Sequence, residues 1–308
     1  MTRTPTNPSS PATSATPSGS PWPISAAGAL LGESPVWDTN AGHLLWVDLW
    51  GGTLHATDPA TALTTVTEVA PPLTAVVPTT RGTRVVTSGL CVLELGDDGT
   101  RHLADIPEPP CMRANDAAVD PAGRLWVGTM TMPQRPARRG GLWRLDAGAH
   151  APVRVIDDVL LANGIAWSPT GDTLYFVDSL RYQVTAFPFD VDSGAVGVGA
   201  PYVRIAREDG MPDGITVDRD GAVWVALAGG SAARRYSASG ALEEQLTLPT
   251  RYPTSCAFGG ESLDDLFITT GCRPVDVTDR PTEITRGGGA LFVATMTAGG
   301  LPPARMEV

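Results

Sequence analysis

Six polar residues each stand at the start of a short apolar segment, and all six carry a side-chain oxygen that could bind a metal ion. Two of them are carboxylates and two are carboxamides. At successive spacings of 41, 41, 48, 50 and 41 residues, they are Glu33, Thr74, Asn115, Asn163, Asp213 and Thr254. Oxygen donors without His or Cys suit a hard cation such as Ca²⁺, Mg²⁺ or Mn²⁺, while Zn²⁺ usually takes nitrogen or sulfur ligands. If the fold brings these residues together, they predict a divalent-cation site.

Carboxylates at the entry of a buried strand need a positive partner, because burying like charges together is costly. A divalent cation would be the simplest such partner. The alternative is that these are turn residues, since Asn163-Gly164 and Asp213-Gly214 are common turn dipeptides. Recurrence at one position of a repeat favours the cation.

The elements that would position these residues are repeated β-strands. Asn163-Gly-Ile-Ala-Trp leads through Ser168-Pro-Thr-Gly to Tyr175-Phe-Val, and Asp213-Gly-Ile-Thr-Val leads through Asp218-Arg-Asp-Gly to Val223-Trp-Val. Repeats of about 40 to 50 residues built from several strands are typical of a β-propeller blade. The sequence therefore predicts an all-β fold, a six-bladed β-propeller, with a β-sandwich pair or another all-β solenoid as the alternative. The segment from Gly289 is expected to be a strand that pairs with N-terminal residues and closes the ring.

Composition excludes several classes of partner. The 308 residues include 22 Lys plus Arg and carry a net charge of −11, which argues against nucleic acid and anionic membranes. No apolar run approaches the roughly 18 residues of a membrane span. The four scattered cysteines do not form a disulfide framework. The Ser/Thr/Pro-rich residues 1–23 predict a disordered N-terminal extension without a secretory signal, before a propeller over residues 24–308; we therefore expect a cytoplasmic protein.

Several motifs then carry a resemblance to a known family. Leu31-Gly-Glu-Ser-Pro-Val-Trp-Asp, the stretch from Arg113 to Met130, Asn163-Gly-Ile-Ala-Trp-Ser, Pro212-Asp-Gly-Ile-Thr-Val-Asp and Thr254-Ser-Cys-Ala-Phe-Gly-Gly occur in order. Together they resemble the regucalcin / gluconolactonase family of six-bladed propellers over about residues 24 to 295. The resemblance implies one divalent cation held by Glu33, Asn163 and Asp213, with Ca²⁺ as the first candidate and Zn²⁺, Mg²⁺ or Mn²⁺ as alternatives. It also implies that Arg113 and Asn115 contact the substrate.

The family hydrolyses lactones, commonly sugar lactones, so the resemblance implies a metal-dependent lactonase with a small-molecule lactone substrate. Asp213 is expected to be a metal ligand and the candidate general base, and Asp178 is a candidate for supporting the site. Where some sugar lactonases carry an acidic residue that binds sugar hydroxyls, this sequence reads Thr131-Met-Pro-Gln. A less polar or differently shaped lactone is therefore an alternative substrate. The competing functions are a non-catalytic propeller that binds calcium or a metabolite, and an esterase or phosphotriesterase on the same scaffold.

Overall fold

Short antiparallel strands form six sheets in the computed structural model, which describes residues 19–26, 28–133, 135, 138–272 and 280–308. The strands of the first three sheets are β2 (Gly32–Asp38), β3 (His43–Asp48), β4 (Thr53–Asp58) and β5 (Leu63–Glu68); β6 (Leu73–Pro78), β7 (Arg84–Ser88), β8 (Cys91–Gly96) and β9 (Gly99–Asp105); and β10 (Met112–Val119), β11 (Leu125–Thr131), β12 (Gly140–Leu145) and β13 (Val153–Val159).

The remaining three sheets follow the same order along the chain, and the last is completed by the N-terminal strand β1 (Trp22–Pro23). Their strands are β14 (Ala162–Trp167), β15 (Thr173–Asp178), β16 (Gln183–Asp190), β17 (Ala195–Val196) and β18 (Ala200–Arg204); β19 (Met211–Val217), β20 (Val223–Ala228), β21 (Ala232–Tyr236) and β22 (Leu242–Thr247); and β23 (Pro253–Gly259), β24 (Asp265–Thr270) and β25 (Phe292–Thr295). The helical elements in the described ranges are two 3₁₀ turns, Ser179–Arg181 and Arg207–Asp209, and the α-helix α1 (Arg280–Thr285).

The first strand of each sheet contacts the first strand of the next sheet, so β2, β6, β10, β14, β19 and β23 surround one central channel. The six sheets are the blades of a β-propeller, as the repeat spacing predicts. Apolar side chains fill the space between blades. Six clusters of buried apolar residues lie in the described part of the chain, and each one joins two neighbouring blades. Tryptophans of the first two strands of the blades belong to these clusters, namely Trp37, Trp46, Trp126, Trp167 and Trp224.

The ring closes where the two ends of the propeller meet. Trp22 pairs with Val293 and Pro23 with Phe292, so the N-terminal strand becomes the outer strand of the last blade. This confirms the expectation for the segment from Gly289. The first strand begins two residues before the predicted start of the propeller at residue 24, so Trp22 and Pro23 belong to the ring. Residues 1–18 lie outside the described residues.

All six innermost strands contain a β-bulge at the predicted opening residue. The register with the second strand shifts between Glu33 and Val36 in the first blade, and between Ala114 and Ala117 in the third. The other four blades shift at residues 73–75, 162–165, 212–215 and 253–255. A bulge adds one residue to a strand and re-aims its side chains. The bulges thus interrupt the strict alternation of the inner strands at the opening residues.

The four cysteines are free thiols, as expected from their spacing. Cys256 and Cys272 are buried, whereas Cys91 and Cys111 are partly exposed.

Candidate functional site

Three acidic residues of different blades influence one another electrostatically at the bulges of the innermost strands. Glu33 lies on β2, Asp116 on β10 and Asp213 on β19. Burial raises the pKa of Glu33 well above its usual value, and the negative charges of Asp213 and Asp116 raise it further. Burial and the charge of Asp116 raise the pKa of Asp213 in the same way. The fold therefore brings together two of the predicted ligands and adds a third carboxyl group, that of Asp116.

Sequence analysis missed Asp116. In a regular strand its side chain would point away from that of its neighbour Asn115. The bulge removes this alternation, and burial raises the pKa of Asp116 to about 6. The available signal was the adjacent pair Asn115-Asp116 inside an otherwise apolar inner strand.

Arg113 supplies the positive charge nearest to these carboxylates. Its side chain is buried, and burial lowers its pKa to about 10 while the charges of Glu33 and Asp213 oppose that change. One Nη atom donates hydrogen bonds to the Ala114 carbonyl at 2.9 Å and to Asn115 Oδ1 at 2.5 Å, whereas the buried Nε has no hydrogen-bond partner. The guanidinium lies 5.4 Å from the centre of the Trp50 ring. Arg113 is therefore a buried cation with an unused donor.

A chain of hydrogen bonds fixes the two predicted amide side chains. Asn115 Nδ2 donates to Asn163 Oδ1 at 2.6 Å and to the Ala162 carbonyl, also at 2.6 Å. Asn163 Nδ2 donates to the buried Ser179 Oγ at 2.7 Å. Because an amide oxygen has two lone pairs, Asn163 Oδ1 keeps the capacity to bind a cation. Ser179, which sequence analysis did not select, thus orients a predicted ligand.

Asp178, the candidate supporting residue, binds the backbone that leads to a predicted ligand. Its carboxylate accepts hydrogen bonds from the backbone N–H groups of Leu160 and Leu161 at 3.0 and 3.2 Å, and Arg181 forms an ion pair with it. Those amides belong to the connection that leads into β14 and Asn163. Asp178 therefore holds the chain that carries a predicted ligand.

The two threonines of the predicted ring use their hydroxyls within the protein. Thr74 Oγ1 lies 2.6 Å from Thr87 Oγ1, and Thr254 Oγ1 lies 3.0 Å from Thr269 Oγ1. Thr254 also donates to the Gly32 carbonyl. The threonine pairs join the first two strands of their blades, and the Thr254–Gly32 hydrogen bond joins the last blade to the first. Neither threonine therefore presents a free oxygen in the way that Asp213 does.

A cavity of about 440 Å³ lies among the six inner strands, and none of the predicted site residues lines it. Its wall is mainly apolar side chains of the inner strands, and Asp116 is its one charged residue among those described. The C-terminal residues 301–304 also line it. Asp116 thus links the carboxylate cluster to the cavity.

Thr131 lies at the end of β11, and Gln134, the last residue of the predicted departure from sugar lactonases, lies outside the described residues.

The donor set fits a hard divalent cation. Asp213 Oδ1 is buried and has no hydrogen-bond partner. Glu33 and Asp213 are both held in a protein interior where burial and mutual repulsion disfavour their charged forms. A cation would satisfy the unpartnered oxygen and relieve the repulsion, and carboxylate and amide oxygens are the ligands that Ca²⁺ prefers.

Comparison with known proteins gives the same family as the motifs. The model of the SMP-30/Gluconolactonase/LRE-like region matches residues 31–272. The Bacillus subtilis (strain 168) protein named "Putative sugar lactone lactonase YvrE" is 34% identical over 282 residues, covering 89% of this chain and 94% of that protein. Regucalcin of Gallus gallus is 32% identical over 281 residues, covering 89% and 93%.

A solved structure extends the likeness to the fold. The structure described as a calcium-binding protein, regucalcin, from Agrobacterium tumefaciens str. C58 superposes with a TM-score of 0.85 at 23% identity, covering 93% of this chain and 96% of that one. Within the described ranges, the α-helix has only six residues, and none of the helices could traverse a lipid bilayer. The matched span and the two relatives above 30% identity place this chain in the SMP-30/gluconolactonase/LRE-like family.

Proposed function

We propose that this chain is a metal-dependent hydrolase that opens a lactone, with a sugar lactone as the first candidate. The observation that carries the proposal is the buried, unpartnered oxygen of Asp213, which interacts electrostatically with Glu33 and with Arg113, whose Nε is an unused donor. The name of the Bacillus subtilis relative supports the substrate class. The alternative of a calcium-binding propeller is supported by the description of the Agrobacterium regucalcin.

Glu33, Asn163 and Asp213 would hold one divalent cation, with Ca²⁺ as the first candidate and Zn²⁺, Mg²⁺ or Mn²⁺ as alternatives. When bound, such a cation supplies Lewis acidity that favours negative charge on a carbonyl oxygen. Asn163 enters the set already oriented by its hydrogen bonds to Asn115 and Ser179. A pre-oriented ligand loses less conformational freedom when it binds.

Asp213 is the candidate general base. With Oδ1 held by the cation, the other carboxylate oxygen of Asp213 can accept a proton from the water that attacks the lactone carbonyl carbon. The ring C–O bond then breaks, and the ring oxygen takes that proton and becomes the alcohol of a hydroxy acid. Because a carboxylate that also held the cation would be a weak base, a water on the cation would share this role.

Arg113 and Asn115 are the candidate substrate-binding residues. Arg113 Nε is a charged donor without a protein partner, so a lactone or hydroxyl oxygen can accept its hydrogen bond. Asn115 Oδ1 keeps one lone pair that can accept a hydrogen bond from a substrate hydroxyl, whereas both Nδ2 hydrogens are already donated to Asn163 and the Ala162 carbonyl. The Trp50 ring beside Arg113 would give an apolar surface for a carbon ring. These features suit both a sugar lactone and a less polar one.

Titration of released acid tests the proposal. A panel of five- and six-membered lactones is assayed in a pH-stat after chelation, with Ca²⁺, Zn²⁺, Mg²⁺ or Mn²⁺ then added back. We expect turnover that disappears with the chelator and returns with one of the ions. Replacing Asp213→Asn should lower kcat/KM by more than about 100-fold, the usual contribution of a general base.

The matched control is Asp264→Asn, which alters an exposed carboxylate paired with Arg219 in the last blade. Its activity should equal that of the wild type, and thermal unfolding should show a single cooperative transition for both variants. Metal binding without turnover of any lactone would contradict the lactonase proposal and support the alternative of a calcium-binding propeller. Faster hydrolysis of aryl esters or organophosphates than of lactones would identify an esterase or phosphotriesterase.

A further inference from the structure

Three side chains with metal-binding atoms converge on the outer half of the second blade, away from the residues of the proposed lactonase site. Cys91 begins β8, and His102 and Asp105 lie near the end of β9. One ligand atom from each residue lies within 4.8 Å of the other two. A thiol, an imidazole and a carboxylate are thus brought to one point on the described surface.

The pairing of the two strands explains this convergence. Cys91 is directly opposite Asp105 in the antiparallel ladder, so their side chains share one face of the blade. In a regular strand His102 would lie on the other face, because it is three positions away from Asp105 and side chains alternate between faces. A bulge shifts the register, and His102 pairs with Leu93, which lies on the same face as Cys91.

The next blade holds this bulge in place. His150, in the connection between β12 and β13, has its Nδ1 at 3.1 Å from the carbonyl oxygen of Leu103, the extra residue of the bulge. The other face of the strand pair is fixed by buried Val92 and Ala104, which belong to the core between the second and third blades. The backbone that orients His102 is therefore anchored to the third blade.

The three side chains are accessible and already contact one another. His102 Nε2 lies 2.9 Å from Asp105 Oδ1, and the Asp105 carboxylate also accepts a hydrogen bond from Cys91. The side chains of His102 and Asp105 are 51% and 66% exposed, so an ion can reach them from solvent. One cation could take the place of the protons in these hydrogen bonds if the ligand atoms moved by about 1 Å. Ligand atoms at 2.0–2.3 Å from zinc lie about 3–4 Å apart from one another.

We propose that Cys91, His102 and Asp105 form a second metal site, specific for zinc or a chemically similar ion and independent of the channel. Sulfur, nitrogen and oxygen donors together suit Zn²⁺, whereas Ca²⁺ and Mg²⁺ select oxygen donors alone. Three protein ligands leave the fourth tetrahedral position for water. Metal binding here deprotonates the Cys91 thiol and releases that proton to solvent.

Cobalt is the probe that separates this site from the channel. Co²⁺ bound to a thiolate gives a sulfur-to-metal charge-transfer absorption, and the proposed lactonase ligands contain no sulfur. We expect the full chain to develop this absorption on titration with Co²⁺, at one equivalent, and Zn²⁺ to abolish it by displacement. Absence of the absorption at saturating Co²⁺ would overturn the proposal.

Variants assign the ligands. Cys91→Ser should remove the absorption. His102→Gln and Asp105→Asn should each weaken Co²⁺ binding by more than about 100-fold, because removing a metal ligand weakens binding more than removing a residue that only hydrogen-bonds to a ligand. Cys111→Ser, which alters the other partly exposed thiol, is the matched control and should bind as the wild type does. A Cys91→Ser protein that keeps the absorption, or a Cys111→Ser protein that loses it, would contradict the assignment.

The two metal sites can also be told apart functionally. Cys91→Ser should keep the turnover of the wild type in the lactone assay. Asp213→Asn should keep the cobalt absorption. Loss of the absorption in Asp213→Asn would mean that the metal site includes the channel, and would refute a separate site whether or not the protein proves to be a lactonase.

Discussion

Asp116 is the carboxyl group that joins the cavity to the proposed ligands, and its ionisation should be visible in stability. Its folded pKa is about 6, above the ordinary value of 3.8, because the group is buried. Between these values the folded state keeps the proton that the unfolded state releases, so the free energy of unfolding falls as pH rises. This decrease in the free energy of unfolding begins near pH 4, is complete above pH 6, and amounts to no more than about 3 kcal/mol.

Replacing Asp116→Asn removes this titration. Urea unfolding of the chelator-treated protein at several pH values between 4 and 7 should show the variant gaining stability relative to the wild type as pH rises. Parallel stability curves for the two proteins would show that Asp116 ionises normally in the fold.

Ser179 should control the affinity of the channel for its cation. Its buried Oγ accepts the hydrogen bond that orients Asn163. Residues that hydrogen-bond to a metal ligand typically contribute 10- to 100-fold to metal affinity, so we expect Ser179→Ala to weaken Ca²⁺ binding by about that factor. Isothermal titration calorimetry measures the change. Ser193→Ala, on an exposed turn of the same blade, is the control, and equal affinities in the two variants would contradict this role.

Glycines at the inner strands permit close approach between blades. A Cβ atom on Gly214 would lie 2.0 Å from Ser255 Oγ and 2.4 Å from Ser255 Cβ on the neighbouring strand, and one on Gly164 would lie 2.6 Å from the Ile215 nitrogen. Asn163-Gly164 and Asp213-Gly214 are therefore bulges packed against the next blade, and not the turns that the dipeptides suggested as an alternative.

We expect Gly214→Ala to separate β19 from β23 and move Asp213. Overpacking of this kind costs about 1–3 kcal/mol. Thermal unfolding should show the loss, and Ca²⁺ affinity should fall with it. Gly19→Ala is the control, since its new Cβ would have 3.9 Å to the nearest atom outside its neighbours. A Gly214→Ala protein with wild-type stability and affinity would refute the packing argument.

The repeated strands could be predicted from the sequence because each unit carries its own alternation of apolar segments and turns. The spacing of the opening residues predicts six blades, and six are present. The bulges could not be predicted in this way, because the register between two strands depends on the partner strand. For that reason Asp116 was missed, as was His102 beside Cys91. Ser179 was missed because its role depends on Asn163, which is 16 residues away in the chain.

At the scale of the molecule, the ring depends on a short strand from the beginning of the propeller. Ile24 donates a backbone hydrogen bond to the Leu291 carbonyl, and Leu291 donates to Ser25 Oγ, next to the two paired residues of β1. Deleting residues 1–18 should leave thermal stability unchanged. Deleting residues 1–26 should lower the free energy of unfolding by about 2–4 kcal/mol through lost hydrogen bonds. Equal unfolding temperatures for the two truncated proteins would contradict this closure.

The longer truncation also exposes the edge of β25. An unpaired strand edge is a template for association with another chain. Size-exclusion chromatography should therefore show association in the protein that lacks residues 1–26 and not in the one that lacks residues 1–18.

The C-terminal segment runs beneath the channel. Gly300 bridges to Asp218 of the fifth blade and Met306 to Thr79 of the second, while Arg305 pairs with Asp38 of the first at 2.6 Å. The two ends of the polypeptide therefore differ as attachment points for a tag or linker. An affinity tag or surface linker joined ahead of residue 19 would emerge on the outer rim, whereas one joined after Val308 would emerge beside the far opening of the pore and could obstruct it.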